Sequence, residues 1–245
     1  MLGTSPPIIT EFVDYLESSE FNRVTDLVVI ATRDPEVTVG LPLIREAIKC
    51  RKPHVNIHIK ALPIDDIGNQ DDTLLVAETV ATTIIEERNI HRCECVYMTI
   101  SGGRKDMSVM MALVAQIAGV DGIYHLIHKD VVRYNIMLER MRHEIIQLAE
   151  SENPGAYYEA HAADFNRLMY PEPSDLAAIK LPILPYPRSQ LIKLLDILEN
   201  GGTALEVEQA TIDSLSRSGL LTETRGKLVP TDVSIKLSRA LHKAV

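Results

Sequence analysis

The segment SGGRK, residues 101–105, places two glycines and two adjacent cations between an apolar run, CVYMTI, and a methionine-rich run, MSVMMALVAQIAG. Glycines let the backbone approach an anion closely, and the free N–H groups of a following helix add partial positive charge. Arg104 offers a planar fork for two phosphate oxygens, and Lys105 offers a mobile point charge. The turn is therefore a candidate phosphate site, although the same residue types also occur in solvated turns that bind no ligand.

A second loop, GTSPP at residues 3–7, is the predicted partner of this turn. Ligands of doubly wound sheets bind beyond the carboxyl ends of the strands, where the winding reverses. With the strand order 3-2-1-4-5, the first and fourth strands are neighbours, so the loops that follow them meet. Ser5 and Ser101 would then donate hydroxyl hydrogen bonds to the same anion. The sequence has no Walker A pattern and no GxGxxG, so no nucleotide cofactor is expected.

Strand-like and helix-like segments alternate through the first two thirds of the chain, which predicts parallel crossovers and an open, doubly wound α/β sheet. The predicted strands are VTDLVVIAT (24–32), VNIHIKALP (55–63), a strand ending at Ile100, GIYHLIHK (122–129), and a strand within 177–187 that leads into a proline-stiffened linker. The predicted helices include PLIREAIKC (42–50), TLLVAETVATTIIEER (73–88) and a long one at 130–151. Asp72 or Thr73 is the predicted N-cap of the second of these.

The last 59 residues follow a different pattern, and we predict a boundary between a domain at 1–186 and one at 187–245. Two helices (189–202 and 205–219), a hairpin with Gly226 in its turn, and a final helix capped by Thr231 are typical of a winged helix-turn-helix. The eight basic and seven acidic side chains of this tail do not make a clearly basic face. Dimerisation or packing is favoured over DNA binding, which stays open.

Composition limits the remaining classes. The chain of 245 residues is 46% hydrophobic, has a formal net charge of -9 and has no apolar run of the ~18 residues that span a bilayer. We expect a cytoplasmic protein, no membrane partner and no diffuse nucleic-acid surface. For Cys50, Cys93 and Cys95, buried free thiols are favoured over a metal site. For the acidic cluster, a solvated loop with helix caps is favoured over a metal site: Asp65, Asp66, Asp71, Asp72.

Four segments together are distinctive: LGTSPPIITEFVDYL, SGGRKDMSVMMALVAQIAG, YHLIHKDV and the tail. They resemble the CRISPR-associated Rossmann-fold (CARF) family, and within it the stand-alone ring nucleases. The resemblance implies a Rossmann-like fold and a homodimer that binds one cyclic tetraadenylate across its twofold axis. It also implies metal-independent cleavage to dinucleotides with a 2′,3′-cyclic phosphate, which ends an antiviral signal. The runner-up is a sensor that binds the ring without cutting it and acts through the winged helix.

Members of this family normally carry several apolar residues before the GTSP motif, which form the first strand. This chain begins at Met1-Leu2. We therefore expect either a truncated start or an unusually short central strand that leaves a gap in the sheet.

Roles follow for individual residues. Lys105, Arg104 and Ser5 are the expected catalytic residues, because charge that develops on the reacting phosphate needs preorganised donors. The expected substrate-binding residues are Gly3, Thr4, Thr32, Ser101, Gly102, Gly103, Met107, His128 and Tyr134. A structural role is favoured for His128, which otherwise edges the pocket. Tyr134 is equally compatible with a ligand contact and with a plain helix surface, and the other methionines after the turn are expected in the core.

Overall fold

The computed structural model describes residues 1–20, 23–184, 186–204 and 207–245. The chain forms two compact units. The first unit comprises Met1–Gly68, Met98–Val109 and Ile123–Leu181, and the second comprises Asn69–Tyr97, Met110–Gly122 and Pro182–Val245. The boundary at residue 186 stays a prediction. Within the described ranges, no helix is both long enough and apolar enough to cross a membrane.

The secondary structure is mixed α/β. In the first part of the chain the elements are α1 (Pro7–Ser19), β1 (Asp26–Ala31), α2 (Pro35–Thr38), α3 (Leu41–Arg51), β2 (Asn56–Ala61), α4 (Gln70–Asn89), β3 (Tyr97–Thr99), α5 (Lys105–Ala118) and β4 (Gly122–His128). They continue with α6 (Val131–Glu150), α7 (Pro154–Ala160), α8 (Ala162–Met169), a short 3-10 turn (Pro173–Asp175) and β5 (Leu176–Leu181). The tail contains α9 (Arg188–Asn200), β6 (Gly202–Thr203), α10 (Gln209–Arg217), β7 (Leu221–Thr224), β8 (Lys227–Pro230) and α11 (Asp232–His242).

Strands β1 and β2 form a parallel pair, in register from Asp26 opposite Asn56 to Ala31 opposite Ala61. The crossover between them carries α3, which buries Leu43, Ile44 and Ile48. A continuous apolar run is expected for a parallel strand that is covered on both faces. The parallel pairing predicted from VTDLVVIAT is confirmed.

The other three strands of this part of the fold form a separate sheet in the order β3-β4-β5. Strands β4 and β5 are antiparallel, with Ile123 opposite Leu181 and His128 opposite Leu176. The sequence predicts one mainly parallel sheet, whereas the described strands β1 to β5 form two sheets, one with the parallel pair β1–β2 and one that includes the antiparallel pair β4–β5. In the described chain no strand is formed before β1, and the backbone N–H of Leu2 donates to the Ile30 carbonyl at 2.8 Å. Strands β1 and β3 belong to separate sheets in the described structure.

In the second unit, α4 begins with a capping box whose N-cap lies three or four residues before the positions predicted from the sequence. The N-cap is Asn69, whose side chain accepts from the Asp72 backbone N–H, while the Asp72 carboxylate accepts from the Asn69 backbone N–H. The prediction of Asp72 or Thr73 as N-cap was therefore wrong. Asp72 occupies the third helical position of the reciprocal motif instead.

The expected burial of the thiols was also wrong, because Cys50 and Cys95 are exposed and Cys93 is only partly buried.

The tail contains the predicted order of helix, helix, hairpin and helix, with the short strand β6 added. Helix α9 ends at Gly201, whose φ is +78°, and the hairpin turn has positive φ at Arg225 (54°) and Gly226 (74°). Positive φ at both turn residues suits the twist of a two-residue hairpin. Thr231 caps α11 as predicted. The start predicted for the second tail helix, at 205 and 206, lies outside the described residues, and the winged-helix assignment stays a prediction.

Candidate active site

The turn at 101–105 and the loop at 3–7 lie side by side in the first unit. A Cβ added to Gly3 would lie 2.8 Å from the backbone nitrogen of Gly103, and a Cβ added to Gly102 would overlap the carbonyl oxygen of Met1. Gly103 also has a φ of +83°, which favours glycine. The glycines are therefore needed for two backbones to touch, and this contact holds the SGGRK turn beside the GTSPP loop.

Ser101 fixes the turn to the neighbouring strand. Its hydroxyl oxygen accepts from the backbone N–H of Leu126 at 2.6 Å and from the hydroxyl of Thr99 at 3.1 Å. Ser108, one turn into α5, donates to the carbonyl of Ile100 at 3.0 Å. Ser101 was predicted to bind substrate. Its oxygen therefore already accepts two hydrogen bonds from the protein. Binding of a ligand by Ser101 stays a prediction, and it would use the hydroxyl proton as the donor.

The two predicted cations differ in their surroundings. Arg104 presents its guanidinium to Asp66, with Nε 2.8 Å from Oδ1 and Nη2 in contact with Oδ2. This pair lowers the pKa of the Asp66 carboxyl. Lys105 is exposed at the first position of α5, and its side chain has no hydrogen bond or ion pair with any residue that the structure describes. A carboxylate therefore occupies the fork assigned to phosphate, whereas the ammonium of Lys105 is available.

Ser5 contacts Tyr134, which the sequence left between two roles. The Ser5 hydroxyl lies 2.8 Å from the Tyr134 hydroxyl. Tyr134 is only 8% exposed, so it is not a plain helix-surface tyrosine. Asp130 starts α6 by accepting from the backbone N–H of Arg133 and sets where Tyr134 projects. Burial raises the pKa of Tyr134, so the phenol stays neutral and keeps a proton to donate.

His128 and Glu11 extend this arrangement. The His128 ring stacks on Tyr134, with ring centroids 3.7 Å apart and planes inclined by 18°. His128 Nε2 lies 2.8 Å from Glu11 Oε1. The sequence reading missed Glu11, although a signal was present: a carboxylate lies within the apolar stripe of PIITEFVDYL, where a helix that buries this face would carry aliphatic residues.

The other predicted residues have less direct roles. Thr32 is buried directly after β1, and Thr4 is exposed in the first loop. Met107 is 2% exposed, with its sulfur 3.3 Å from the position of a Cβ on Gly103. Met107 therefore packs beneath the glycine turn, and the described contacts give it a supporting position rather than an open surface for a ligand.

The sequence of this chain matches a CRISPR-associated family. A model of the family described as CRISPR-associated protein NE0113 matches residues 5–201, and the chain belongs to this family. The matched range contains every candidate residue except Gly3 and Thr4. One relative is the CRISPR system ring nuclease SSO2081 of Saccharolobus solfataricus (strain ATCC 35092 / DSM 1617 / JCM 11322 / P2). It is 33% identical over 158 residues, covering 63% of this chain and 82% of the relative. The resemblance to CRISPR ring nucleases predicted from the sequence is confirmed.

Proposed function

We propose that this protein is a metal-independent ring nuclease that cleaves cyclic tetraadenylate and so ends the antiviral signal of a type III CRISPR system. Its membership of the family and its similarity to a ring nuclease support the general activity. One observation carries the assignment of the site: the backbone contact between Gly3 and Gly103 holds Ser5 near the turn that leads into Lys105, whose side chain has no ion pair among the described residues.

In the proposed reaction a ribose 2′-oxygen forms a bond to the adjacent phosphorus, and the bond from phosphorus to the 5′-oxygen breaks. The 2′-hydroxyl loses its proton, and the departing 5′-oxygen gains one. The products are linear di-adenylates with 2′,3′-cyclic phosphate ends. Nucleophile and electrophile belong to one molecule, so the enzyme mainly holds them in line, which is worth up to ~7–11 kcal/mol.

The side chains have distinct roles in this proposal. Lys105 stabilises the negative charge that builds on the phosphate oxygens, because it is a full charge with no carboxylate partner in the described structure. Ser5 orients the reacting ribose or phosphate, and the neutral Tyr134 phenol holds the Ser5 hydroxyl. Arg104 grips phosphate oxygens in place of the Asp66 carboxylate.

The proposed protein is a homodimer in which one ring lies across the twofold axis. A twofold axis would present two copies of the Ser5 and Lys105 set to opposite phosphates. Two cuts of one ring then follow, which agrees with dinucleotide products.

The alternative, a sensor that acts on DNA through its tail, is disfavoured by how the cations of α11 are used. Lys236 lies 2.6 Å from Asp71, Arg239 lies 2.9 Å from Glu199, and Lys243 contacts Glu78. Nonspecific affinity for DNA comes from cations that replace the counterions of its phosphates. The carboxylates that lie beside these cations would repel a phosphate backbone, and the eight basic and seven acidic side chains of the tail leave it without a clearly basic face.

Incubation of the purified protein with cyclic tetraadenylate in EDTA, followed by chromatography of the products, tests the proposal. We expect linear di-adenylates with cyclic phosphate ends. The Lys105→Ala variant should cleave much more slowly. Its matched control is Lys49→Ala, which removes an exposed lysine on α3 that lies 3.6 Å from Glu46 and should cleave normally. An intact ring after many hours would contradict catalysis. Retention of a DNA duplex by the tail at physiological salt would favour the sensor.

A further inference from the structure

A buried carboxylate beside the candidate site has no role in the chemistry described so far. Glu11 is 1% exposed, and its Oε1 lies 2.8 Å from His128 Nε2. Its second oxygen, Oε2, has no hydrogen-bond partner in the described structure. Burial raises the pKa of Glu11, and the hydrogen bond and charge of His128 oppose that rise. Burying a partly paired carboxylate is costly, so this residue requires an explanation beyond packing.

The contacts lead from Glu11 to the candidate catalytic serine. The His128 side chain is 11% exposed, and one ring nitrogen faces Glu11 while the ring face lies against Tyr134. The Tyr134 hydroxyl then lies 2.8 Å from the Ser5 hydroxyl. Three elements supply these groups: Glu11 from α1, His128 from the end of β4 and Tyr134 from the first turn of α6.

A purely structural role does not account for the choice of residue. A buried ion pair or hydrogen-bonded pair is often no better for stability than apolar residues of the same volume. What a carboxylate adds is direction, because it fixes the ring orientation and the tautomer of the imidazole that it contacts. The face of that imidazole in turn limits where the Tyr134 ring can lie.

We infer that Glu11 is a positioning residue: its carboxylate accepts the Nε2–H of His128, and the ring held in this way keeps the Tyr134 hydroxyl against Ser5. The part of this inference that concerns Ser5 rests on the proposed function. The part that concerns Glu11 depends only on whether Nε2 of His128 carries a proton, which is observable in the free protein.

The first test is spectroscopic and needs no substrate. In protein labelled with ¹⁵N at histidine, we expect His128 to be the Nε2-protonated tautomer with a slowly exchanging proton, assigned by its loss in His128→Gln. Glu11→Leu should abolish the slow exchange, and Glu11→Gln should keep it because its amide oxygen still accepts. A His128 whose Nε2 carries no proton in the wild-type protein overturns the inference.

The second test is kinetic. Glu11→Leu should lower kcat by about tenfold to a hundredfold, as expected for a small misplacement of a reacting group, and should leave KM within about threefold. Glu11→Gln should recover most of that loss. In a Tyr134→Phe background, Glu11→Leu should add little, because the hydroxyl that it positions is absent.

A matched control is Glu87→Leu, which removes another buried glutamate, 8% exposed on α4 and in contact with the Cys93 thiol. It should leave kcat unchanged, and its Tm shows how much replacement of a buried glutamate by leucine costs in stability. Thermal unfolding identifies variants that fail to fold, and Glu11→Gln decides the question if Glu11→Leu does not fold. A folded Glu11→Leu with normal kcat contradicts the inference. A wild-type protein that cuts no ring contradicts the proposed function instead, and the spectroscopic test still decides the role of Glu11.

Discussion

Gly3→Ala tests the contact on which the candidate site depends. The added Cβ would lie 2.8 Å from the Gly103 backbone nitrogen and 3.4 Å from its Cα. An ordinary contact between carbon and a backbone atom is about 3.5 Å or longer, so the two loops must separate by roughly 0.7 Å or more. Overpacking of this kind costs about 1–3 kcal/mol. In a chain of this size that cost lowers Tm by roughly 2–12 °C.

The effect on catalysis should exceed the effect on stability. A displacement near 1 Å of a group that aligns a reaction costs about a hundredfold in rate. We therefore expect Gly3→Ala to fold, to show the lower Tm by differential scanning calorimetry, and to cleave the ring about a hundredfold more slowly by product chromatography.

Gly155→Ala is the matched control for this substitution. Its Cβ would lie 3.3 Å from Glu46 Oε2, the end of a flexible side chain, and the residue lies within helix α7. Alanine in a helix is favoured over glycine by about 0.5–1 kcal/mol, so Tm should stay level or rise slightly. Wild-type Tm and activity in Gly3→Ala would show that the loops do not touch in solution, and the reasoning about the site would fail with them.

Three further predictions follow from the same geometry. Lys105→Ala should lower kcat by about 10²–10³-fold with a smaller change in ring affinity by calorimetry, and equal losses in both would make Lys105 a binding residue only. Ser5→Ala and Tyr134→Phe should be coupled by about 0.5–1.5 kcal/mol in a double-mutant cycle of unfolding, whereas additive losses would argue against their hydrogen bond. Asp66→Asn should tighten ring binding by about fivefold, because it removes the repulsion in water between the Asp66 carboxylate and a phosphate a few ångströms away. Pairing with Arg104 lowers the pKa of Asp66, so its carboxylate is charged at neutral pH. The ion pair is lost only as the pH falls below about 3.9, the pKa of aspartate in the unfolded chain. The gain in ring affinity from Asp66→Asn should therefore be constant from pH 6 to 8.

The elements of the fold were predictable where one local signal decides them. The apolar run of β1, the glycine at the end of α9 and the threonine cap of α11 each depend on a few adjacent residues. The N-cap of α4 was wrong because asparagine, aspartate and threonine all cap helices well. Their local preferences are nearly equal, and the reciprocal bonds of Asn69 decide among them.

The candidate site was predictable to the level of its loops and less so in its contacts. Glycines and cations marked the SGGRK turn, since an anion site needs close approach of the backbone and positive charge. The pairing of Arg104 with Asp66 joins residues 38 positions apart, and that of Glu11 with His128 joins residues 117 apart. Such pairs depend on tertiary packing, and no local preference of either partner specifies the other.

The Arg104–Asp66 pair bears on how the proposed site would bind a ring. Both side chains are largely exposed, at 65% and 45%, so solvent screens their attraction and their separation costs little. A phosphate presents two oxygens to a guanidinium much as a carboxylate does, so exchange of one for the other keeps both hydrogen bonds of the fork. The net gain on binding must then come from groups that have no partner beforehand. In the described structure the side chain of Lys105 is such a group, which is why the proposal gives it, rather than Arg104, the main electrostatic role.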